Sequence, residues 1–211
     1  MQLLEVEQQL EESQKRKEKV SEELRAAGAH RALLFEKGKP LEGAIIEALR
    51  VFGFTAAPFK ESDSEFDVVF ESQEGRLIGE AEGKDSKAVN IDKLRQLAMN
   101  IHEDLQRETT STPAKPVLFG NGFRLAPVAE RGDPFTEKCY SAAATSSTAL
   151  VFTVDMFWPV QYLVGNSDPE YASACRRALL DTTGRVAFPN PPTAPEAADE
   201  TQIEKAASEN A

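Results

Sequence analysis

The sequence predicts an α/β protein with a mixed central sheet flanked by helices and preceded by a long N-terminal helix. Three observations indicate this class. The chain has 211 residues, 41% of them hydrophobic, which is enough for one domain with an ordinary core. Helix and strand periodicities alternate along residues 38–165. Two segments rich in β-forming residues flank the turn Ser72-Gln73-Glu74-Gly75, which predicts a hairpin.

Residues 1–37 predict one long helix. The segment up to Phe35 has no Pro, and its only Gly is Gly28. Mostly apolar residues recur at alternating steps of three and four, which is typical of a coiled coil. This seam is formed by Leu3, Val6, Leu10, Ser13, Lys17, Val20, Leu24, Ala27, Arg31 and Leu34. The pattern predicts a homodimer through residues 1–37; the alternatives are a helix packed on its own domain or part of a longer coiled-coil arm.

The remaining elements follow in a regular order. A helix from Leu41 to Phe52 precedes strands at 54–59, 65–71 and 76–84. A helix at 91–107 is predicted to bury Ile91, Leu94, Leu97, Ala98, Ile101 and Leu105. Strands at 117–119 and 149–154 then alternate with helices at 134–146 and 156–164. These elements define a domain at 38–165, a C-terminal helix within 166–189 and a Pro-, Ala- and Glu-rich tail at 190–211, predicted to be disordered.

Composition excludes several classes of protein. No apolar run reaches about 18 residues, so no membrane span or membrane partner is predicted. The acidic N-terminus does not fit a secretory signal. Two cysteines, Cys139 and Cys175, are too few for a disulfide framework or a cysteine zinc site, and two histidines make histidine-based metal sites a poor fit. We therefore expect a cytoplasmic protein.

The charge distribution bears on nucleic-acid binding. The net charge is −11, and residues 38–189 carry 22 acids against 16 bases. Proteins that hold DNA by neutralising phosphates are usually basic, so this balance counts against tight, unassisted duplex binding. It leaves open an enzyme that holds nucleic acid locally through a divalent metal.

The residues that suggest chemistry lie on the predicted hairpin. Asp67 is in the first strand, and Glu80, Glu82 and Lys84 alternate on the second, so the latter three share one face. Three charges on one face of a strand in a sheet must be solvated, paired or bound to metal. The opposite face has only small residues, which permits a close approach by a helix. A turn near Gln73 places Asp67 opposite Glu80 or Glu82.

A cluster of carboxylates with one ammonium suits Mg²⁺ or Mn²⁺, because these hard cations prefer oxygen ligands. Such a metal lowers the pKa of a bound water, and a neighbouring lysine stabilises the charge that develops. Two acid-x-Lys tripeptides occur, Glu82-Gly83-Lys84 and Asp85-Ser86-Lys87. Only the first ends a predicted strand that follows an Asp-bearing strand.

This arrangement resembles the PD-(D/E)XK nuclease superfamily, whose fold is restriction endonuclease-like. The family pattern is a helix with an acid, a strand with an Asp, a strand with acid-x-Lys and then a helix with a functional Gln or similar residue. The matching positions are Glu42, Asp67, Glu82, Lys84 and Gln96. Phe66 stands where the family name has Pro, and Glu80 is an additional acid able to join the metal site. The resemblance covers residues 38–165.

The resemblance implies metal-dependent cleavage of DNA phosphodiester bonds. It assigns Asp67 and Glu82 as ligands of Mg²⁺ or Mn²⁺, with Glu80 and Glu42 as further ligand candidates, and Lys84 and Gln96 as catalytic candidates. The alternative is a catalytically inactive nuclease-like scaffold that dimerises through its N-terminal helix and binds a protein partner or a ligand. The acidic domain favours the scaffold, whereas the ordered Asp, Glu and Lys favour the enzyme.

Overall fold

Six strands form one mixed sheet in the computed structural model, which describes residues 9, 11–20, 28, 30–61, 64–107 and 113–192. They follow each other across the sheet in chain order. Strands β1 to β3 are antiparallel, and β3 to β6 are parallel. The strands are β1 (Thr55–Glu61), β2 (Ser64–Ser72), β3 (Gly75–Gly83), β4 (Lys115–Asn121), β5 (Ala149–Phe152) and β6 (Gly184–Arg185).

Helices cover both faces of this sheet and supply the crossovers that parallel strands require. They are α1 (11–20), α2 (Ala32–Phe35), α3 (Lys39–Val51), α4 (Asp92–Leu105), α5 (Glu137–Thr145), α6 (Thr153–Gly165) and α7 (Pro169–Asp181), with a short 3₁₀ helix at Val128–Glu130. No helix in the described ranges is long and apolar enough to span a membrane.

The core has two layers, one on each face of the sheet. Helices α3, α6 and α7 cover one face, where Leu49, Phe70 and Phe119 are fully buried. Helices α4 and α5 cover the other face, where Ile78, Leu118 and Cys139 are fully buried. The fold class predicted from the sequence, an α/β protein with a mixed sheet between helices, is therefore confirmed.

The N-terminal segment differs from the predicted single helix. Residues 11–20 are helical and exposed, but a turn at 30–31 separates the preceding chain from α2. This turn lets the fully buried Leu33 enter the core, where Thr153 donates a hydrogen bond to its carbonyl at 2.7 Å. A continuous helix to Phe35 is thus wrong, because tertiary burial overrides the seam pattern. Several seam positions, Leu3, Val6, Leu10, Leu24 and Ala27, lie outside the described residues.

The C-terminal part of the chain belongs to the same core. Cys175 and Leu179 of α7 are fully buried among residues of α3 and the sheet. The sequence pattern does not predict the two-residue strand β6. This strand extends the parallel sheet, and the N–H of Gly184 donates a hydrogen bond to the carbonyl of Thr148. The predicted disordered tail lies outside the described residues from residue 193 onward.

Candidate active site

The hairpin register places Asp67 beside Glu80. Val68 pairs with Gly79 in the β2–β3 ladder, so the next step along both strands brings Asp67 opposite Glu80. Oδ2 of Asp67 accepts a hydrogen bond from the backbone N–H of Ala81 at 2.9 Å. Of the two alternatives left open by the sequence, Glu80 is therefore the residue opposite Asp67.

A cleft of about 310 Å³ opens where β3 ends beside the first turn of α3. It brings together three acids predicted from the sequence and two lysines that were not predicted. Its lining residues are Lys37, Gly38, Glu42, Asp67, Ala81, Glu82, Gly83 and Lys93. Glu80 lies beneath this lining, with no exposed surface.

A close backbone approach forms one wall of the cleft. A Cβ atom added at Gly83 would lie 2.4 Å from Cβ and 2.9 Å from Cα of Lys37. Only Gly therefore permits the segment before α3 to rest on the end of β3. The sequence predicts that a helix approaches the small-residue face; at Gly83 the approaching segment is instead the non-helical chain between α2 and α3, which brings Lys37 to the cleft beside Glu42.

Glu80 is held by two side chains from α4. Asn100 donates to Oε1 of Glu80 at 2.7 Å, and the ammonium of Lys93 donates to Oε2 at 3.0 Å. Burial, followed by the neighbouring Asp67 carboxylate, raises the pKa of Glu80 to about 7, although Lys93 opposes the shift. Both oxygens of Glu80 are thus engaged by protein donors.

Lys93 is the residue that sequence analysis missed. Its ammonium lies 3.0 Å from Glu80 and 4.0 Å from Oδ2 of Asp67, and its side chain is 23% exposed. Its pKa is raised: burial works against the charge, but the carboxylates of Glu80, Asp67 and Glu82 outweigh it. The ammonium therefore stands charged between the buried carboxylate and the cleft.

The orientation of α4 explains why Lys93 faces the cleft and why the sequence pattern did not predict it. Helix α4 was predicted to bury Ala98 and Leu105, but the structure exposes both and buries Asn100 and Asp104 instead. These polar residues face the polar side chains of β3. Arg76 donates two hydrogen bonds to Asp104, at 2.6 and 2.9 Å. Apolar periodicity alone cannot reveal an interface in which polar side chains pair across helix and strand.

Glu82 and Lys84 form a separate pair at the end of β3. Nζ of Lys84 lies 2.6 Å from Oε1 of Glu82, and both side chains are partly exposed. Glu82 lines the cleft, whereas Lys84 does not. In the predicted acid-x-Lys motif, therefore, the Glu82 carboxylate lies at the cleft, and the Lys84 ammonium is paired with this carboxylate.

The two outlying candidates differ in position. Glu42 lies in the first turn of α3, lines the cleft and accepts a hydrogen bond from Lys39 at 2.6 Å. Gln96 lies on α4 but is exposed and is not part of the cleft lining. The structure thus brings Glu42 to the other acids and leaves Gln96 at the surface.

Cationic groups border the cleft despite the acidic composition of the chain. The Lys37 ammonium lies 3.1 Å from Asp85, which also accepts from the Arg124 guanidinium at 2.6 Å. These two cations, Lys37 first, lower the pKa of Asp85. Lys37 and Arg124 thus share one carboxylate, and Lys37 is the member of this trio that lines the cleft.

The donor set fits a divalent metal only in part. Within the described ranges, no group of three or more His, Cys, Asp or Glu is able to hold a metal ion. Mg²⁺ commonly takes one or two carboxylates and completes its shell with water and substrate phosphate. Asp67 and Glu82, which both line the cleft, provide two carboxylates, whereas Glu80 is already bound by Asn100 and Lys93.

The order of elements around this cleft is the one that the resemblance predicts. Helix α3 carries Glu42, β2 carries Asp67 and β3 carries Glu82; Lys84 directly follows β3, and α4 comes next. The mixed sheet is consistent with the PD-(D/E)XK fold.

Among solved structures, the chain is similar to that of restriction endonuclease FokI. The similarity covers 71% of this chain and 28% of that chain, with a TM-score of 0.48 and 12% sequence identity. The chain thus spans well under two thirds of that protein. No protein-family model matches the chain, and no curated protein matches it.

Proposed function

We propose that the protein is a metal-dependent nuclease that hydrolyses phosphodiester bonds of DNA. The observation that carries the proposal is the cleft at the end of β3. Carboxylates of Asp67 and Glu82 line it together with the ammonium of Lys93. Acids that bind a hard cation and an ammonium that faces an anion are the groups that phosphodiester hydrolysis requires.

Asp67 and Glu82 are the residues that would hold Mg²⁺ or Mn²⁺. A bound metal supplies Lewis-acid chemistry, lowering the pKa of a bound water and shielding the charge of the phosphate. Asp67 is oriented for this task because its Oδ2 is held by the N–H of Ala81. The pairing with Lys84 orients Glu82. Glu42 borders the same space, while Gln96 remains a candidate for contacting substrate from α4.

Two carboxylates alone make a weak site for Mg²⁺, since the ion gives up its water reluctantly. We therefore expect the metal to bind together with a substrate phosphate, which completes its ligands. The lysines that line the cleft, Lys37 and Lys93, support DNA as the anionic partner, because local cations attract phosphate whatever the net charge.

The test is cleavage of single- and double-stranded DNA in Mg²⁺ or Mn²⁺. The wild type is compared with Asp67→Asn and with Asp92→Asn, which alters an exposed acid of α4 outside the cleft. We expect metal-dependent cleavage that is lost in Asp67→Asn and retained in Asp92→Asn. Cleavage that survives Asp67→Asn places the activity elsewhere, and no cleavage by the wild type removes the nuclease proposal.

A specific observation favours the alternative scaffold. Each β3 carboxylate already has a protein cation beside it, since Lys93 pairs with Glu80 and Lys84 with Glu82. A cluster neutralised from within has no need of a metal. An intact wild type that neither cleaves DNA nor binds Mn²⁺ would support a scaffold that binds a protein partner or ligand.

A further inference from the structure

We infer that Lys93, rather than the motif lysine Lys84, is the lysine that contacts the scissile phosphate and the attacking water. The inference rests on the proposed nuclease function and names a residue outside the acid-x-Lys motif. It is carried by the contacts of the two ammonium groups, by the buried residues that seat one of them, and by the residues that line the cleft.

Buried polar residues of the protein hold the Lys93 ammonium in place. Glu80 has no exposed surface, and its two oxygens accept from Asn100 and Lys93 at 2.7 and 3.0 Å. Burying the Glu80 carboxylate beside the Lys93 ammonium costs desolvation free energy, and such a buried pair is stable only when its geometry is well fixed. Asn100 and Glu80 thus act as positioning residues that fix the ammonium at the cleft wall.

The position of the ammonium favours contact with substrate. It lies 4.0 Å from Oδ2 of Asp67, the carboxylate proposed to hold the metal, and the side chain reaches the cleft. A phosphate that enters the cleft beside Asp67 would therefore meet this ammonium, which is placed to stabilise negative charge as the phosphorus is attacked.

Lys84 is differently placed. Its ammonium lies 2.6 Å from Glu82, and the residue is absent from the cleft lining. Both ammonium groups are paired with a carboxylate and both keep free N–H donors, so what separates the two lysines is that only Lys93 lines the cleft. We expect Lys84 to orient Glu82, so that its loss reduces activity less than the loss of Lys93.

The first experiment replaces each lysine by cysteine and restores the ammonium chemically. In Lys93→Cys and Lys84→Cys, the thiolate displaces bromide from 2-bromoethylamine and forms a lysine analogue. The native Cys139 and Cys175 are fully buried and therefore shielded. We expect Lys93→Cys to lower kcat by about 100-fold with KM within about threefold, because a transition-state contact is lost. Aminoethylation should restore kcat in Lys93→Cys, and Lys84→Cys should lose less than about tenfold.

The second experiment does not depend on cleavage. Acetylation rates of individual lysines are measured by mass spectrometry with and without a short DNA duplex in Ca²⁺. Lys138, exposed on α5 and outside the cleft lining, is the control. We expect the duplex to slow acetylation of Lys93 much more than that of Lys84 or Lys138.

The outcomes separate the two proposals. If the wild type does not cleave DNA but the duplex protects Lys93, the nuclease proposal and the catalytic role of Lys93 both fail, and only a DNA contact at Lys93 remains. If cleavage occurs and Lys84→Cys is the more damaging change, the nuclease stands and the inference about Lys93 is overturned. A duplex that protects Lys84 alone, or neither lysine, also overturns it.

Discussion

The ammonium of Lys93 lies 3.0 Å from Oε2 of Glu80, a carboxylate with no exposed surface. This contact joins the first turn of α4 to the middle of β3. It explains how the interior tolerates Glu80, since a buried charge needs a partner and satisfied hydrogen bonds. It also ties the helix to the strand that carries the proposed metal-binding acid Glu82.

Glu80→Ala should therefore destabilise the fold. Its removal leaves Asn100 and Lys93 without their acceptor and opens a void, so we expect a loss of about 3 kcal/mol in the free energy of unfolding. Urea denaturation followed by circular dichroism measures this change. The control Asp92→Ala removes an exposed acid of α4 that pairs with Arg95 and accepts from Asn90 at the surface, and it should cost less than about 1 kcal/mol. Equal effects would contradict the structural role of Glu80.

The Arg76–Asp104 pair should show strong coupling. Asp104 is 1% exposed, and two hydrogen bonds join it to the Arg76 guanidinium. A double-mutant cycle with Arg76→Ala and Asp104→Ala should give a coupling energy of about 2 kcal/mol. The exposed pair Arg95 and Asp92 is the matched control, with an expected coupling of about 0.5 kcal/mol or less. Comparable couplings would show that burial adds nothing to the inner pair.

Gly83→Ala should disturb the cleft wall. The added Cβ would lie 2.9 Å from Cα of Lys37, so the segment before α3 must shift. We expect a loss of about 1–3 kcal/mol in stability, as for other overpacked sites, together with reduced DNA cleavage. The control is Gly43→Ala in α3, where nothing lies within 4 Å of the added atom and helix propensity should raise stability by up to about 1 kcal/mol. If Gly83→Ala leaves the free energy of unfolding unchanged, the segment before α3 can shift without an energetic cost, which contradicts the expectation.

The Glu74–Arg176 pair makes a pH-dependent contribution. Hydrogen bonds from Arg176, and then from Ser72, lower the pKa of Glu74 to about 2. The folded state thus holds its proton less tightly than the unfolded state, whose pKa is near 4.5. Stability from this pair is complete above about pH 4.5 and disappears as the pH falls towards 2. Urea denaturation of the wild type and Glu74→Gln should differ at pH 7 and converge at pH 2. A difference that is unchanged across this range would contradict the pairing.

The N-terminal seam predicts a dimer that substitution should weaken. Val20 is 54% exposed on α1 and occupies a seam position, where an apolar side chain needs a partner. An isolated helix of this length is marginal in water, which favours pairing between two copies. Val20→Glu should weaken dimerisation by at least about tenfold in sedimentation equilibrium. Gln14→Glu, an off-seam change of the same charge, should not. A wild type that sediments as a monomer contradicts the predicted homodimer.

Local pattern predicted the hairpin and its acids because the required information lies within about twenty residues. The turn at Ser72–Gly75 and the alternation of side chains place Asp67 next to Glu80 and set Glu82 on the same face. Glu42 was a candidate through the family resemblance, and it does line the cleft. These relationships depend on sequence periodicity and register, which short-range sterics impose.

The sequence alone determined the α/β class, the order of the elements from α3 to α7 and the acids at the end of β3, because backbone periodicity and turn chemistry act locally. Tertiary structure alone decided that Lys93 faces the cleft, that Asn100 and Asp104 are buried, and that the N-terminal helix turns before Leu33. Each of these depends on how a helix rotates or docks against the sheet. That rotation is set by the summed burial and pairing of residues far apart in the chain, which a local pattern does not contain.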